Sequence, residues 1–366
     1  TKTGSASKKR YSASVSQSFH VIDAFVPDYQ NKWGNGFDGD YGEFFSNWGY
    51  VFDGKRPLNN PRHPYFEHRA LFPENPEFTS AAGASPGNAG PYIPQAYPNN
   101  VKDFFQTGNT LTTSVNAGVT GEMGSFNVAF NRTGEEGYIA NNNLNRTTIS
   151  IGGIANITKK LIFNANFTYA KTDFQSPTVG AGLGSNSNGG PSVFANLFYT
   201  PRNINLMGWP YTNPVTGGSV YYRNGGDITN PRWLLENSRQ GSYTNRFFSS
   251  IGANYSILDW LKLSYNLGID TYGEDQEYYV NKGASGFPTD VAAFGTGLYR
   301  TTSGANTILD HTVRLSAQRN LNKDIDISAN IGVNARQDTY EQQGVESTNQ
   351  VVFGLLEHRN FIDHNT

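Results

Sequence analysis

The feature that most constrains the fold of this 366-residue chain is two-residue alternation of apolar and polar side chains, held over about ten residues and repeated along the sequence. Leu261, Leu263, Tyr265, Leu267 and Ile269 alternate with Lys262, Ser264, Asn266, Gly268 and Asp270. Ile325, Ile327, Ala329, Ile331, Val333 and Ala335 alternate with Asp326, Ser328, Asn330, Gly332 and Asn334. Phe247, Ile251, Ala253, Tyr255 and Ile257 share one face opposite Ser250, Asn254 and Ser256. Leu161, Phe163, Ala165, Phe167 and Tyr169 lie opposite Asn164, Asn166 and Thr168, with Ile162 the exception. Weaker copies near 11–21, 109–119, 125–132, 147–157 and 309–318 bring the expectation to nine strands. Successive side chains of a strand point to opposite faces, so each segment predicts a strand with one apolar and one polar side. No helix-period segment of comparable length competes.

The connections sort by length. Short turns join 109–119 to 125–132, 147–157 to 161–173, 244–257 to 261–273, and 309–319 to 324–338. They alternate with long connections at 22–108, 133–146, 174–243 and 274–308. Short turns at one end and long loops at the other are the asymmetry of outer-membrane barrels, and ten residues cross a bilayer at a tilt. A soluble sandwich has no reason to sort its loops this way, and a solenoid would show a fixed repeat. The expected fold is therefore all-β: a transmembrane antiparallel β-barrel with long extracellular loops. The apolar faces turn to lipid and the Asn/Ser/Thr/Gly faces to the lumen. Trp260, at a short turn, is expected in the periplasmic aromatic girdle, and Tyr272 in the extracellular one. An open nine-stranded sheet in lipid leaves two edges of unpaired N–H and C=O groups, and single-chain bacterial barrels have even strand counts. The sequence is accordingly expected to be a piece of a longer chain.

Composition agrees. Charged residues make up 16%, against about 25% in ordinary soluble domains, while Gly (40), Phe (24) and Tyr (21) are abundant. No run of 18 apolar residues exists and the mean hydropathy is −0.53, which excludes a transmembrane helix but not alternating strands. A net charge of −2 gives no electrostatic reason to expect nucleic acid or anionic lipid as a partner. With no cysteine, disulfides, thiolate metal sites and cysteine nucleophiles are all excluded. The opening Thr1-Lys-Thr-Gly-Ser5 has no apolar signal region, so the natural start is expected upstream.

Three segments carry a family resemblance. Thr1-Lys-Thr-Gly4 followed by Tyr11-Ser-Ala-Ser-Val15 resembles the passage from a plug's last strand into the first barrel strand. Asp103-Phe-Phe-Gln-Thr-Gly108 resembles an FFxTG-type lead-in to strand two. Asn230-Pro-Arg-Trp-Leu-Leu-Glu-Asn237, then Arg246-Phe-Phe248 and Leu258-Asp-Trp-Leu-Lys262, resembles an NPxWLL segment with its following hairpin. In order and spacing they are similar to the SusC/RagA branch of TonB-dependent transporters of Bacteroidetes-type bacteria, along essentially the whole chain. The resemblance implies a plugged barrel of about 22 strands, with residues 1–8 as the end of the plug and 9–366 as the N-terminal part of the barrel. It also implies a SusD-like surface lipoprotein as lid, energy coupling through TonB, and an oligosaccharide or oligopeptide as cargo. The TonB box and most of the plug lie outside this sequence. The alternative is a SusC-like barrel that acts as a non-transporting scaffold in a larger outer-membrane assembly.

No catalytic constellation, cofactor motif or metal-ligand spacing stands out, so no enzyme activity is expected. His20, His63, His68, His311, His358 and His364 are scattered. Asp38-Gly-Asp-Tyr-Gly-Glu43 has the acidic density of a calcium loop without the EF-hand spacing, and Gly180-Ala-Gly-Leu-Gly184 lacks the GK[ST] of a phosphate loop. The Asn-x-Thr triplets at Asn131, Asn145, Asn156 and Asn166 fit lumen faces better than glycosylation. The substrate-contact candidates are aromatics of the long loops: Trp33, Trp48, Trp209, Tyr211, Tyr221 and Tyr222, whose rings suit sugar faces or apolar peptide side chains. Their other reading is the small core a long loop needs. Arg202, Arg223 and Arg232 are candidates for carboxylates or acidic sugars, or simply solvated.

The face assignment makes a direct prediction. Leu263→Arg or Ile327→Arg should impair membrane insertion by about 2–4 kcal/mol near the midplane, while Asn266→Asp and Asn330→Asp should be tolerated. Insertion yield in a refolding or outer-membrane expression assay checks it. Equal damage from both pairs would mean the faces are assigned wrongly.

Overall fold

A computed structural model describes residues 9–55, 62–80, 90–179, 192–223, 228–284, 295–323 and 325–366. The proposed plug junction at 1–8 and the glycine run from Gly180 lie outside these residues. In chain order the elements are β1 (Arg10–Ile22), β2 (Gly36–Phe37), β3 (Asp40–Tyr41), α1 (Asn100–Phe104), β4 (Gly108–Gly121), β5 (Gly124–Glu136) and β6 (Asn143–Asn156). They continue with β7 (Leu161–Ser176), α2 (Val193–Phe198), α3 (Pro231–Asn237), β8 (Ser238–Leu258), β9 (Leu261–Val280), β10 (Leu298–Asn320), β11 (Asp326–Gln350) and β12 (Phe361–Asn365). No described helix is long and apolar enough to cross a membrane.

The fold is mostly β. One antiparallel sheet of ten strands runs in the order β1-β4-β5-β6-β7-β8-β9-β10-β11-β12, so consecutive large strands are always neighbours. Nine of the ten are the strands expected from alternation. The tenth, β12, is five residues long and pairs only with the end of β11, from Gln350↔Phe361 to Glu346↔Asn365. It is too short for a periodic signal.

Register keeps the two faces separate across the whole sheet. One lateral row reads Ala13, Ala117, Val128, Ile151, Phe167, and a parallel row reads Tyr255, Leu263, Leu315, Ile331. The opposite face reads Ser14, Asn116, Ala129, Ser150, Thr168 at a matching level. That polar face is laced by cross-strand hydrogen bonds. Asn131 donates to the Ser114 hydroxyl at 2.7 Å, Ser264 to Asn254 at 2.8 Å and Asn334 to Thr312 at 2.8 Å. Arg246 grips Asp270 through two bonds of 2.8 and 2.5 Å. Gly252 makes room for this network, because a Cβ there would sit 2.5 Å from Asn164 Oδ1 and 2.7 Å from Asn266 Oδ1. Among the described residues no second layer covers the apolar face: Phe126, Ile151, Phe163, Leu263, Val313 and Ile331 are all exposed.

Two expectations change. Tyr272 occupies an even position of β9 opposite Asn306, so it shares the polar face with Asp270 and not the apolar face of a girdle. Strand parity decides this, and the parity is already present in the Leu261–Ile269 alternation. The strands are also longer than the alternation. β8 to β11 run 21, 20, 23 and 25 residues, about twice or more the roughly ten that cross a bilayer. Beyond Ile269 both faces of β9 turn polar, through Asp270, Glu274, Asp275, Gln276 and Glu277, so the period-2 contrast vanishes while the ladder continues. The connections expected at 133–146 and 274–308 shrink accordingly to 137–142 and 281–297. Charged and polar cross-strand partners reinforce the extensions: the ion pairs of Arg239 with Glu277 and Arg300 with Glu346, and the Ser303 hydroxyl donating to Asp275 at 2.6 Å.

The hydrophobic core lies outside the sheet, in a cap that the long connections build over one of its ends. Tyr65, Phe78, Val101, Phe104, Val193, Leu197, Ile204, Leu206, Trp233 and Leu234 form it, joined by Val280 from the end of β9. Its keystone is α3. Pro231 opens the helix, where its missing N–H costs nothing, and the Asn230 side chain caps it by accepting from Arg232 N at 3.0 Å. Asn230 also donates to Val220 O at 3.1 Å, and Trp233, fully buried, donates from Nε1 to Gly217 O at 2.8 Å. Asn237 closes the helix on Trp233 O at 3.1 Å, and its own carbonyl accepts from Asn281 N at 2.9 Å, which ties the cap to the β9–β10 connection. Gln106, from the lead-in to β4, bonds Gly137 O and Tyr138 O and ties the first long loop to the β5–β6 turn.

Trp233→Ala should therefore loosen the cap by about 3–5 kcal/mol and Asn230→Ala by about 1–3 kcal/mol, while the ladder persists. Limited proteolysis should show cleavage within 23–107 and 177–237 before any loss of strand circular dichroism. Simultaneous loss of both would mean that cap and sheet are one cooperative unit.

Candidate functional site

The six loop aromatics divide into a buried group and an open group. Trp209, Tyr221 and Tyr222 are 7%, 3% and 1% exposed and belong to the cap core. Trp209 packs on His63 at 4.6 Å, Tyr65 at 5.0 Å and Tyr97 at 5.9 Å between ring centroids. Tyr221 shares a 2.6 Å hydrogen bond with the Thr200 hydroxyl and meets Tyr222 edge-on at 4.6 Å. Burial raises the Tyr221 hydroxyl well above its ordinary range. Trp48 is the most open of the set, at 68% exposure, and Trp33 and Tyr211 are half-buried.

Trp33 and Trp48 sit on the 33–51 segment, which folds back on itself through the β2–β3 hairpin. Asp38 (φ 52°) and Gly39 (φ 86°) make its two-residue turn, the Asp-Gly signature of a tight hairpin. A Cβ on Gly36 would lie 1.9 Å from Asp40 O, so only glycine fits there. The acidic run Asp38–Glu43 is thus the hairpin itself. Among the described residues, no group of three or more His, Asp or Glu is placed to hold a metal.

Tyr211 lies in a groove that joins the predicted aromatics to an open surface. Asn75, Met207, Trp209, Pro210, Tyr211 and Arg232 are among the residues lining a space of about 450 Å3. Arg232 holds its wall in shape, donating from Nη1 to the carbonyls of Leu206, Met207 and Trp209 at 3.1–3.2 Å. The same guanidinium lies 4.1 Å from the Tyr211 ring centroid, and Tyr211 donates to Glu236 Oε1 at 2.6 Å. The groove presents two aromatic rings, an amide and a cation already engaged by carbonyl oxygens, an arrangement suited to weak contact with a polar chain. Asn75 and Met207 have no signal in the sequence; they arrive through packing of two loops.

The arginines act as tethers. Arg202 is 1% exposed, donates from Nη2 to Thr200 O at 2.9 Å and lies 4.5 Å from the Tyr29 ring. Arg223 lies 4.9 Å from the Phe44 ring. Neither is the solvated surface arginine of the plainer expectation.

His63 is a buried titratable group at the centre of this cap. Its ring packs on Phe78 (4.8 Å), Tyr92 (4.9 Å) and Trp209, and Nδ1 accepts from Tyr65 N at 3.0 Å. Burial pushes its pKa down to about 3. His68 donates from Nε2 to Tyr221 O at 3.0 Å and is also held below its ordinary range, mainly by burial.

The sheet and cap match solved barrel-wall folds. The structure aligns with a chain of the RagAB peptide transporter at TM-score 0.64 and 14% identity, covering 98% of this chain and 39% of that one. Two chains of the RagAB peptide importer, in "closed-closed" and "open-open" states, align at TM-scores 0.63 and 0.57 with 12% and 13% identity. The chain spans 39% and 37% of their lengths. The likeness establishes an outer-wall β-barrel fold of the kind seen in that transporter. No family model matches the sequence, and no curated protein matches it significantly.

The His63 environment predicts a pH dependence. Its folded pKa lies below the unfolded value of about 6.5, so the neutral ring's contribution is complete above pH 6.5 and is lost as pH falls toward 3. Near-UV circular dichroism should report cap loosening in that window before the strands melt. His63→Asn, which keeps an acceptor for Tyr65 N, should flatten the transition; an unchanged transition would place the acid-sensitive group elsewhere.

Proposed function

We propose that this chain supplies part of the wall and the extracellular cap of a SusC-like, TonB-dependent importer of the bacterial outer membrane. What supports the reading is one combination: a continuous antiparallel sheet with an uncovered apolar face, a hydrogen-bonded polar face, and a folded cap over one end. An exposed apolar band of this breadth is costly in water and favourable against lipid. The lead-in segment and the α3 segment that resemble the family are among those that tie the cap to the sheet, through Gln106 to Gly137 O and through Asn281 N to Asn237 O. In this reading the sheet's open edges are closed by further strands toward about 22, and a plug fills the lumen. A SusD-like lipoprotein covers the cap, TonB supplies the energy, and the cargo is an oligosaccharide or oligopeptide. The chain makes and breaks no bond. Substrate contact is assigned to Trp48 and Tyr211, with Trp33 and Trp209 beside them; Tyr221 and Tyr222 hold the surface in shape.

Detergent extraction from native membranes, followed by mass spectrometry of the intact chain and its partners, tests this. The expected result is a chain well beyond 366 residues carrying a plug, together with a surface lipoprotein. A full-length barrel without a TonB box, purifying with secretion or assembly proteins, would replace import with the scaffold role.

A further inference from the structure

The polar face carries a second concavity, outside the cap, in the extensions of β7 to β10. Phe174, Gln240, Ser242, Gln276, Tyr278 and Arg300 line a groove of about 370 Å3, completed by Gly241, Glu277 and Thr302 and within the approximate 300–1,000 Å3 range of ligand sites. The first six are even-numbered positions on strands whose registers pair even with even, so they lie on the face that holds Asn254, Asn266 and Asp270. Gln276 stands seven residues beyond Ile269, roughly 24 Å further along β9 than the end of the apolar alternation. Tyr278 packs partly against the cap core. In the import reading, on which this inference rests, the groove lies on the lumen wall directly beneath the cap.

Its chemistry is specific. Arg300 donates through Nε at 2.7 Å and through Nη2 to the Glu346 carboxylate, and its guanidinium lies 5.8 Å from the Tyr278 ring centroid. Glu274 accepts from Ser242 at 2.6 Å. The guanidinium nearest the groove is therefore neutralised by its own partner. The Glu277 carboxylate, which also lines the groove, is likewise paired, with Arg239, so what remains to meet a ligand is two planar amides, each both donor and acceptor, the Thr302 hydroxyl, and the rings of Phe174 and Tyr278. We infer that this groove is a lumenal subsite for a neutral, hydroxyl-rich ligand: one or two rings of an uncharged oligosaccharide. Sugar hydroxyls donate and accept together, as the Gln240 and Gln276 amides do, and apolar ring faces stack on the aromatics. Peptide segments carry charges in about a quarter of their side chains, and here those charges would be desolvated against an ion pair with no spare member.

The test measures binding to purified full-length protein by calorimetry, so its outcome does not depend on transport. The probes are malto-, cello-, xylo- and manno-hexaose, hexagalacturonate, and an uncharged end-capped hexapeptide. Wild-type protein should bind at least one neutral hexasaccharide, and Gln240→Ala and Gln276→Ala should each weaken it about five-fold. Glu346→Gln frees Arg300 and should confer binding of hexagalacturonate, a gain that a misfolded variant cannot produce. Unchanged affinity in the glutamine variants, no binding of any hexasaccharide, or loss confined to the peptide would overturn the subsite. A protein that binds sugar here but imports nothing in cells would instead remove the import reading and leave the groove standing.

Discussion

Everything in this structure depends on the backbone hydrogen-bond ladder that runs unbroken from β1 to β11. A strand's N–H and C=O groups must be satisfied wherever water is absent, and only neighbouring strands can do that in a sheet that no layer among the described residues covers. Once each large strand bonds to the next in sequence, every connection alternates between the two ends. The two faces then stay separate from one edge to the other, because the side-chain period is two and the registers never slip the set. The irregularity between Ser256 and Leu258 falls at the β8–β9 turn, where it disturbs no row. The apolar face therefore needs no sequence-distant partner.

This ladder explains why the core is where it is. In a soluble domain the apolar face of the sheet would be buried against another layer; here it is left open and the buried aromatics gather in the loops instead. The cap is a small globular body in its own right. It has a capped helix, a tryptophan wholly enclosed, an uncharged histidine among rings, and arginines engaged by carbonyl oxygens and aromatic faces. A cap built this way can carry a binding surface without weakening the wall, since the two are stabilised by different interactions: packing above, hydrogen bonding and the surrounding medium below.

The wall is legible in the amino-acid sequence, because the alternation from Leu261 to Asp270 and from Ile325 to Ala335 states both the strand and its faces. Tyr272 is misplaced when its position along the strand is read without its parity. The extensions of β8 to β11 are not legible. When both faces are polar, as from Glu274 to Glu277, periodicity carries no information, and only pairing keeps the strand. The cap is legible as aromatic density and in the Asn230–Asn237 segment, but which aromatics face inward is not. Trp209 and Trp48 look alike in sequence, and burial separates them only through loop contacts more than a hundred residues apart. The groove of Phe174, Gln240, Gln276 and Arg300 draws on four strands and has no local signature at all.

The most direct test of the central claim uses the absence of cysteine from these 366 residues. Single cysteines placed at Tyr265, Val313, Asn266 and Thr312, in the outer membranes where the proposed function puts the protein, would be exposed to a water-soluble maleimide. Tyr265 pairs with Val313, and Asn266 with Thr312, so the four test both faces at one level of the wall. The account predicts labelling at Asn266 and Thr312 and protection at Tyr265 and Val313. Equal labelling of all four, or protection of the polar pair, would contradict a wall with lipid on one side and water on the other.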